Sequence, residues 1–248
     1  MPQQAWYQKW FNSPYYHKLY FERDIPEAVD FIKQLIKKLN PPAGSRMLDT
    51  GCGKGRHSIA LSEMNYKVTG IDISVESIDF ARKFENSNLE FYQHDMRLPF
   101  RINYYEYVLN FFTSFGYFET RREHDNAVRT MSGALKPKGL LVIDYLNVHF
   151  AEENINHQEQ KLIGDTNFTL RRWHDDDHFY KKIIIEEAHL PDQIVFTEKV
   201  AKFSIGDFTE MLSYRGMQVQ EVFGDYEFSK YDINKSPRLI LIAKKLKV

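Results

Sequence analysis

A glycine-rich turn at residues 49–55 constrains this 248-residue chain more than any other stretch. Met47-Leu48 predicts a short buried strand, glycine then stands at positions 51, 53 and 55, and a helix should begin near Arg56. Glycine adopts positive φ and has no Cβ, so a ligand can lie directly against the backbone of such a turn. The first turn of the following helix presents unpaired N–H groups beside that ligand. A strand, a glycine turn and a helix in this order predict a nucleotide-type binding site.

Strands and helices alternate along most of the chain. The predicted helices lie at 26–39, 57–64, 75–84, 123–135 and 206–215, and the predicted strands lie at 47–48, 68–72, 89–92, 107–112, 140–146, 218–223 and 239–243. In the 75–84 helix, Ile78, Ala81 and Phe84 fall on the face that we expect to point inward. This alternation favours a parallel sheet with helices on both faces.

Two segments do not follow the alternating pattern. The first 25 residues form an aromatic arm, in which Ser13 before Pro14 predicts a helix start, and the arm either packs on the domain or acts as a lid. Strand-like runs at 168–173 and 180–185 flank an Asp-rich turn and predict an antiparallel meander of three or more strands. The predicted organisation is an arm at 1–25, an α/β domain at 26–149 and 204–248, and an inserted β subdomain at 150–203.

Composition excludes several classes of protein. The formal net charge of -1 gives no general electrostatic footprint for nucleic acid. Cys52 is the sole cysteine, which excludes an internal disulfide and a cysteine-based zinc site, and we expect no metal. No apolar run approaches the ~20 residues of a membrane-spanning helix, and residues 1–4 lack signal-peptide character. We therefore expect a cytoplasmic protein without membrane contact.

The motifs of the alternating region resemble one family. Leu48-Asp49-Thr50-Gly51-Cys52-Gly53-Lys54-Gly55 is similar to the first motif of the class I S-adenosylmethionine (SAM)-dependent methyltransferases. Further features of this family follow in its usual order, namely Asp72 ending the second strand, His94-Asp95-Met96 after the third, Asn110 ending the fourth, and Leu135-Lys136-Pro137-Lys138-Gly139 before the fifth. The resemblance covers residues 45–147 by motif and 205–246 by pattern. It implies a Rossmann-like α/β sheet that is parallel except for an antiparallel last strand.

The resemblance implies SAM as cofactor and S-adenosylhomocysteine (SAH) as product. Gly51 and Gly53 would admit the amino-acid end of SAM, and Asp72 would accept both ribose hydroxyls. Asp95 would accept from the adenine amine, with Ile73 and Met96 on the two faces of the ring. The full set of predicted cofactor-binding residues is Tyr16, Tyr20, Arg23, Asp49, Gly51, Cys52, Gly53, Arg56, Asp72, Ile73, His94, Asp95, Met96, Asn110 and Phe111.

Methyl transfer from a sulfonium ion is an in-line displacement with a good leaving group. It requires alignment and a dry site more than a catalytic triad. A base is needed only when the nucleophile arrives protonated. Ligands of open α/β sheets bind at the carboxyl ends of the strands. The candidate catalytic residues there are Tyr117, Tyr145, Asn147 and His149, although each could equally serve packing or a turn.

Local motifs narrow the class of methyl acceptor. The single cysteine lies in the cofactor loop, which argues against methylation of pyrimidine carbon. Asn110-Phe111-Phe112-Thr113 lacks the Asn/Asp-Pro-Pro-aromatic motif of many base and glutamine methyltransferases. Residues 112–118 and His94-Asp95-Met96-Arg97 resemble the small-molecule branch, which includes sugar N-methyltransferases and implies an insert like 150–203 as a substrate-side cap or homodimer surface. We therefore expect a small-molecule acceptor with a nitrogen or oxygen nucleophile.

Three alternatives remain open at this point. A methyltransferase for RNA or protein would be favoured by a basic groove around 150–203. A non-catalytic SAM-binding module would lack a pocket open to solvent above Asn110. A nicotinamide oxidoreductase is disfavoured because Arg56 occupies the position of the third fingerprint glycine, where helix and strand pack closely.

Overall fold

The predicted alternation is present in the structure, a computed structural model that describes residues 5–20 and 25–246. The helices are α1 (Trp6–Phe11), α2 (Pro14–Leu19), α3 (Ile25–Leu39), α4 (Arg56–Glu63), α5 (Val75–Ala81), α6 (Arg121–Ala134), α7 (Val148–Glu153) and α8 (Ile205–Ser213). The strands are β1 (Arg46–Thr50), β2 (Lys67–Asp72), β3 (Leu89–Gln93), β4 (Tyr105–Asn110), β5 (Leu135–Leu146), β6 (Gln158–Ile163), β7 (Thr166–His174), β8 (His178–Glu187), β9 (Ile194–Ala201), β10 (Met217–Phe223) and β11 (Arg238–Lys245). Within the described residues, no helix has the length and apolar character needed to cross a membrane.

Seven strands form one sheet in the order β10-β11-β5-β4-β1-β2-β3. Strands β1 to β5 run parallel to their neighbours, whereas β11 runs antiparallel to both β5 and β10. This topology confirms the predicted Rossmann-like sheet with its antiparallel last strand. The strand order reverses between β1 and β4, and open α/β sheets bind their ligands at such a switch point.

The sheet is buried on both faces because its strands carry apolar residues on both. Met47 points to a cluster formed with α3, α4 and α5, whereas the next residue, Leu48, points to a cluster formed with α6 and α8. Alternate residues of a strand face opposite sides, so a strand covered on both sides is apolar throughout. The glycine turn after β1 is therefore attached to one of the most buried strands of the molecule.

A second sheet of four antiparallel strands, in the order β6-β7-β8-β9, occupies the 150–203 region. Phe168 and Leu170 of β7 and Ile183 and Ile185 of β8 form a buried core together with Trp10 and Leu19 of the N-terminal arm. The arm itself begins its second helix as expected, because the Ser13 hydroxyl accepts a hydrogen bond from the Tyr15 N–H at 3.2 Å. The arm thus packs against this second sheet.

Some local predictions were wrong. Strand β4 ends at Asn110 because Phe112 and Thr113 have φ values of 53° and 59°, and two consecutive left-handed residues interrupt the extended backbone. Phe84 does not point inward: α5 ends at Ala81, and a single 3₁₀ turn leaves the Phe84 side chain 44% exposed. Helix α7 was not anticipated.

Candidate active site

A cavity of about 500 Å³ opens at the carboxyl ends of β1, β2 and β4. Its walls come from the glycine turn, the residues after β2, β3 and β4, helices α3 to α5, and the N-terminal arm. The predicted site residues that line it are Tyr16, Tyr20, Gly51, Cys52, Gly53, Arg56, Asp72, Ile73, His94, Asp95, Met96, Phe111 and Tyr117. The fold therefore brings together most of the residues expected at one site. Arg23 lies outside the described residues.

The glycines of the turn have different physical roles. Gly51, Gly53 and Gly55 all have left-handed φ values, of 73°, 55° and 84°. A Cβ on Gly51 would lie 2.7 Å from the Cβ of Ser114, so the loop after β4 packs directly on this glycine. A Cβ on Gly53 would have no atom within 4 Å. Gly51 thus permits close packing within the protein, and Gly53 leaves backbone open to the cavity.

Asp72 is oriented by backbone hydrogen bonds. Its two carboxylate oxygens accept from the N–H groups of Gly53 and Ser74, each at 2.8 Å. Burial raises the pKa of Asp72, and these N–H groups oppose that effect. The Ile73 N–H also contributes a backbone hydrogen bond to this carboxylate. A carboxylate held in this way beside the cavity suits the hydroxyls of a ribose.

Asp95 lines the cavity but already faces a cation. Arg97 donates to it through its backbone N–H at 2.9 Å and through its guanidinium at 2.6 to 3.1 Å. Burial would raise the pKa of Asp95, but Arg97 outweighs it and holds this pKa below its usual value. An adenine amine would have to share an oxygen with Arg97. Ile73, His94 and Met96 also line the cavity, and the contact of Ile73 and Met96 with the two faces of adenine stays a prediction.

Two predicted cofactor residues lie beneath the cavity rather than in its wall. Asp49 is 1% exposed and accepts from the Ser58 hydroxyl at 2.6 Å, and burial raises its pKa to about 7. Asn110 is fully buried and donates from Nδ2 to the carbonyl oxygen of Thr50 at 2.9 Å. Its Oδ1 has no hydrogen-bond partner within the described residues. The structure therefore gives Asp49 and Asn110 a supporting position below the glycine turn.

The arm is fastened to the second sheet by a buried carboxylate. Glu198 of β9 is 6% exposed and accepts from Trp10 Nε1 and the Tyr20 hydroxyl, both at 2.7 Å. Lys181 of β8 donates to Glu198 at 2.6 Å and to the Tyr20 oxygen at 2.7 Å. Because Tyr16 and Tyr20 line the cavity, this junction fixes the arm as one of its walls.

The loop after β4 is held in an unusual backbone conformation. Phe112 and Thr113 are consecutive left-handed residues without being glycine. The fully buried Asp144 of β5 accepts from the Phe112 N–H at 2.8 Å, and its backbone oxygen accepts from the Thr113 N–H at 3.0 Å. Arg238 bridges the Asp144 carboxylate, at 2.7 Å, and the Thr113 hydroxyl, at 3.0 Å. Left-handed residues cost roughly 1–2 kcal/mol each, so this network offsets a real strain.

The candidate catalytic residues are placed very differently from one another. Tyr117 lines the cavity, with its ring 5.1 Å from that of Phe11. Tyr145 is fully buried and donates to the backbone oxygen of Ala201. Asn147 is 1% exposed and donates to backbone oxygens near β11, and His149 is exposed on α7. The structure does not bring Tyr145, Asn147 or His149 to the cavity, because their side chains serve packing or face solvent.

Sequence reasoning missed three residues that shape this site. His57 lines the cavity directly after Arg56, whose guanidinium lies 4.2 Å from the centre of the Phe112 ring. Asp144 could have been noticed as a charge inside an apolar strand, and a charge there needs a buried partner. Glu198 carries no comparable signal, because its partners are far away in sequence.

Residues 42–216 match the model of a protein family described as "Methyltransferase domain". The chain therefore belongs to this family. YqeM of Bacillus subtilis (strain 168), a protein named as a methyltransferase, is 28% identical over 221 residues, which cover 83% of this chain and 86% of YqeM. An S-adenosylmethionine-dependent methyltransferase from Clostridium acetobutylicum ATCC 824 shares the fold, with a TM-score of 0.77 at 16% identity over 94% of this chain and 97% of that one.

A third relative is named as a sugar methyltransferase. The dTDP-3-amino-3,4,6-trideoxy-alpha-D-glucopyranose N,N-dimethyltransferase of Streptomyces venezuelae is 32% identical over 123 residues, which cover 49% of this chain and 51% of that protein. The family match makes the protein a SAM-dependent methyltransferase, with SAM as its cofactor. The site fits this cofactor, since Gly53 leaves backbone open to the cavity and the Asp72 carboxylate lines the cavity beside it.

Proposed function

We propose that the enzyme transfers the methyl group of SAM to a nitrogen or oxygen of a small molecule. The observation that supports this most is the aromatic wall of the cavity next to the glycine turn. Phe11 and Tyr16 come from the arm, Phe111 and Phe112 from the loop after β4, and Tyr117 from the following segment. A cavity of about 500 Å³ lies within the range of small-molecule pockets, and SAM takes up part of it.

The reaction itself makes modest chemical demands. The attacking atom must approach the methyl carbon in line with the departing sulfur, in a site from which water is excluded. The aromatic wall can exclude water and orient a compact acceptor. Tyr117 is the candidate that remains for a hydrogen bond to the nucleophile, because it alone of the four catalytic candidates lines the cavity.

A methyltransferase for RNA or protein is the second candidate function. A track for nucleic acid requires several Lys or Arg side chains along its path. Among the described residues, only Lys54 and Arg56 supply such side chains to the cavity lining. The similarity to the sugar N,N-dimethyltransferase from Streptomyces venezuelae instead supports an amine on a small molecule as the acceptor.

We also propose how the parts of the chain divide the work. The α/β domain at 26–149 and 204–248 would hold the cofactor, and the arm and the 150–203 insert would cap the acceptor side. The Glu198 junction supports this arrangement, because it connects the insert to the arm residue Tyr20 that lines the cavity. The insert could alternatively form a homodimer surface, and sedimentation would distinguish a dimer from a monomer. A cytoplasmic location stays a prediction.

A screen for SAH release tests the proposal. The protein is incubated with SAM and with pools of amines, amino sugars and hydroxylated compounds, and in parallel with total RNA and with a protein extract. We expect SAH release with a small-molecule pool. This activity should be retained when the pool is treated with ribonuclease and protease, and both are removed, before the enzyme is added. Release only with RNA or with protein would contradict the proposed acceptor class.

A further inference from the structure

Lys and Arg side chains are concentrated at the edge of the seven-stranded sheet that lies opposite the cavity. This edge holds the amino ends of β1 to β5 and of β10, and the carboxyl end of β11. The register places Arg46 of β1 directly beside Lys67 of β2. Among the residues that the structure describes, this edge and the turns that lead into its strands carry eight cationic side chains and the two carboxylates of Glu85 and Glu106. Because the whole chain has a formal net charge of -1, positive charge is gathered on this side.

Most of these cations are not neutralised within the protein. Arg46 and Lys136 both pair with the carboxylate of Glu106. Arg101, in the turn before β4, pairs with Glu90 at 2.8 Å. Across residues 5–20 and 25–246, the remaining five cations make no ion pair, and they are Lys67, Lys138, Arg215, Lys244 and Lys245. Unpaired cations that share one face attract an anionic surface.

The turn before β4 holds an apolar side chain out in water beside these cations. Ile102 is 72% exposed. It lies between Arg101 and Asn103, which have left-handed φ values of 48° and 50°, a conformation that is unfavourable for residues other than glycine. The Lys245 ammonium donates to Asn103 Oδ1 at 3.0 Å and so fastens this turn to the end of β11. The protein thus maintains a strained turn that exposes an aliphatic residue.

Two more exposed apolar side chains lie at the adjoining ends of β10 and β11. Tyr214, just before β10, is 75% exposed, and Leu246, just after β11, is 44% exposed. The Leu246 N–H donates to the Gly216 oxygen at 2.8 Å, which brings the two chain segments together. Because Leu246 directly follows Lys245, it belongs to the same surface as Ile102.

We propose that the basic face, formed by these cations together with Ile102, Tyr214 and Leu246, docks on an anionic lipid membrane. The cations draw the protein to the surface, and the three apolar side chains enter the boundary between headgroups and acyl chains. Nucleic acid fits this face less well, because aliphatic side chains neither stack on bases nor contact phosphates. The expectation of a protein without membrane contact rested on the lack of a spanning run, which docking on a surface does not require.

Docking through the basic face leaves the active site accessible. The cavity opens at the carboxyl ends of β1, β2 and β4, whereas the basic face lies at the amino ends of these strands. A docked protein therefore turns its cavity toward water, where a small-molecule acceptor can reach it. Membrane docking is thus a second property of the chain, independent of the acceptor class.

Sedimentation with vesicles tests this proposal on the complete chain. Binding is measured at low salt to vesicles of phosphatidylglycerol mixed with phosphatidylcholine, and to vesicles of phosphatidylcholine alone. The charge variant is Lys67→Glu combined with Lys138→Glu. Its control, Arg171→Glu combined with Lys182→Glu, changes the net charge equally at paired positions of β7 and β8.

The wild-type protein should bind the vesicles that contain phosphatidylglycerol, not those of phosphatidylcholine alone, and added salt should weaken the binding. The charge variant should lower the partition coefficient at least about tenfold, because each Lys or Arg near an anionic membrane contributes about a fivefold gain. The control pair should bind like the wild-type protein. Ile102→Ser should lower the partition coefficient at least about threefold. Leu162→Ser, which truncates a side chain that is 74% exposed on β6, should leave it unchanged.

Circular dichroism spectra should be the same for all of these proteins, which shows that each variant is folded. If the charge variant fails to fold, the comparison of Ile102→Ser with Leu162→Ser carries the test. Binding of a duplex RNA oligonucleotide that the charge variant loses, without any vesicle binding, would identify nucleic acid as the partner and overturn the proposal. Absence of wild-type binding to phosphatidylglycerol vesicles, or an equal loss in the control pair, would also overturn it.

Discussion

Alanine at position 51 should disturb the protein far more than alanine at position 53, although both are glycines of the same turn. Both residues have left-handed φ values, of 73° and 55°, so each substitution carries a backbone strain of about 1–2 kcal/mol. The Gly51→Ala methyl group would additionally lie 2.7 Å from Ser114 Cβ and 3.2 Å from Met96 Cε. Overpacking of this kind costs about 1–3 kcal/mol.

The expected loss of unfolding free energy is therefore about 2–5 kcal/mol for Gly51→Ala and about 1–2 kcal/mol for Gly53→Ala. Urea unfolding of the ligand-free proteins measures both values, and equal m-values would confirm that the same surface is exposed on unfolding. SAH binding should weaken in both variants, because Gly51→Ala displaces Met96 and Gly53→Ala places a methyl group in the cavity. Equal stability of the two variants, within about 0.5 kcal/mol, would refute the argument that the loop after β4 packs on Gly51.

Further predictions concern the buried charges around the site. Between about pH 4 and 7 the folded protein holds a proton on Asp49 that the unfolded chain releases, so this group makes the free energy of unfolding fall as pH rises through that window. Urea unfolding across this range should show that Asp49→Asn removes this fall. Identical slopes of unfolding free energy against pH in the wild-type protein and in Asp49→Asn would contradict the prediction. Glu198→Gln leaves Lys181 without its anion and should lower the free energy of unfolding by about 3 kcal/mol in the same assay, whereas a change near zero would mean that the junction contributes little. Asp144→Asn should speed amide exchange in the loop after β4, because Arg238 loses its charged partner; unchanged exchange would show that the loop keeps its conformation without this network.

Much of the fold was predictable because it rests on local patterns. Apolar runs such as that of β2 and the glycine turn at 51–55 specify strands, helices and their order, and the order of a parallel α/β chain limits its topology. Asp72 was predictable for the same reason, since a carboxylate at the end of a strand next to a glycine turn falls at the ligand edge. Residues of this kind are placed by their own neighbours in sequence.

The missed features depend on contacts that are distant in sequence. The left-handed backbone at Phe112 and Thr113 is stabilised by Asp144 and Arg238, which are distant in sequence. The local pattern at 107–112 therefore predicted a continuous strand. Asn147 directly follows the last residue of β5, but its amide is directed to backbone oxygens near β11 rather than to the cavity. Hydrogen-bond partners that are distant in sequence decide whether a side chain at the end of a strand contacts a ligand or the protein itself.

Calorimetry with SAM and NADH tests the central claim most directly. The account predicts that the wild-type protein binds one SAM per chain and does not bind NADH, and that Asp72→Asn weakens SAM binding at least about tenfold while the fold is retained. That loss follows because the amide nitrogen of Asn cannot accept a hydrogen bond as a carboxylate oxygen of Asp72 does. Binding of NADH without binding of SAM would contradict the account.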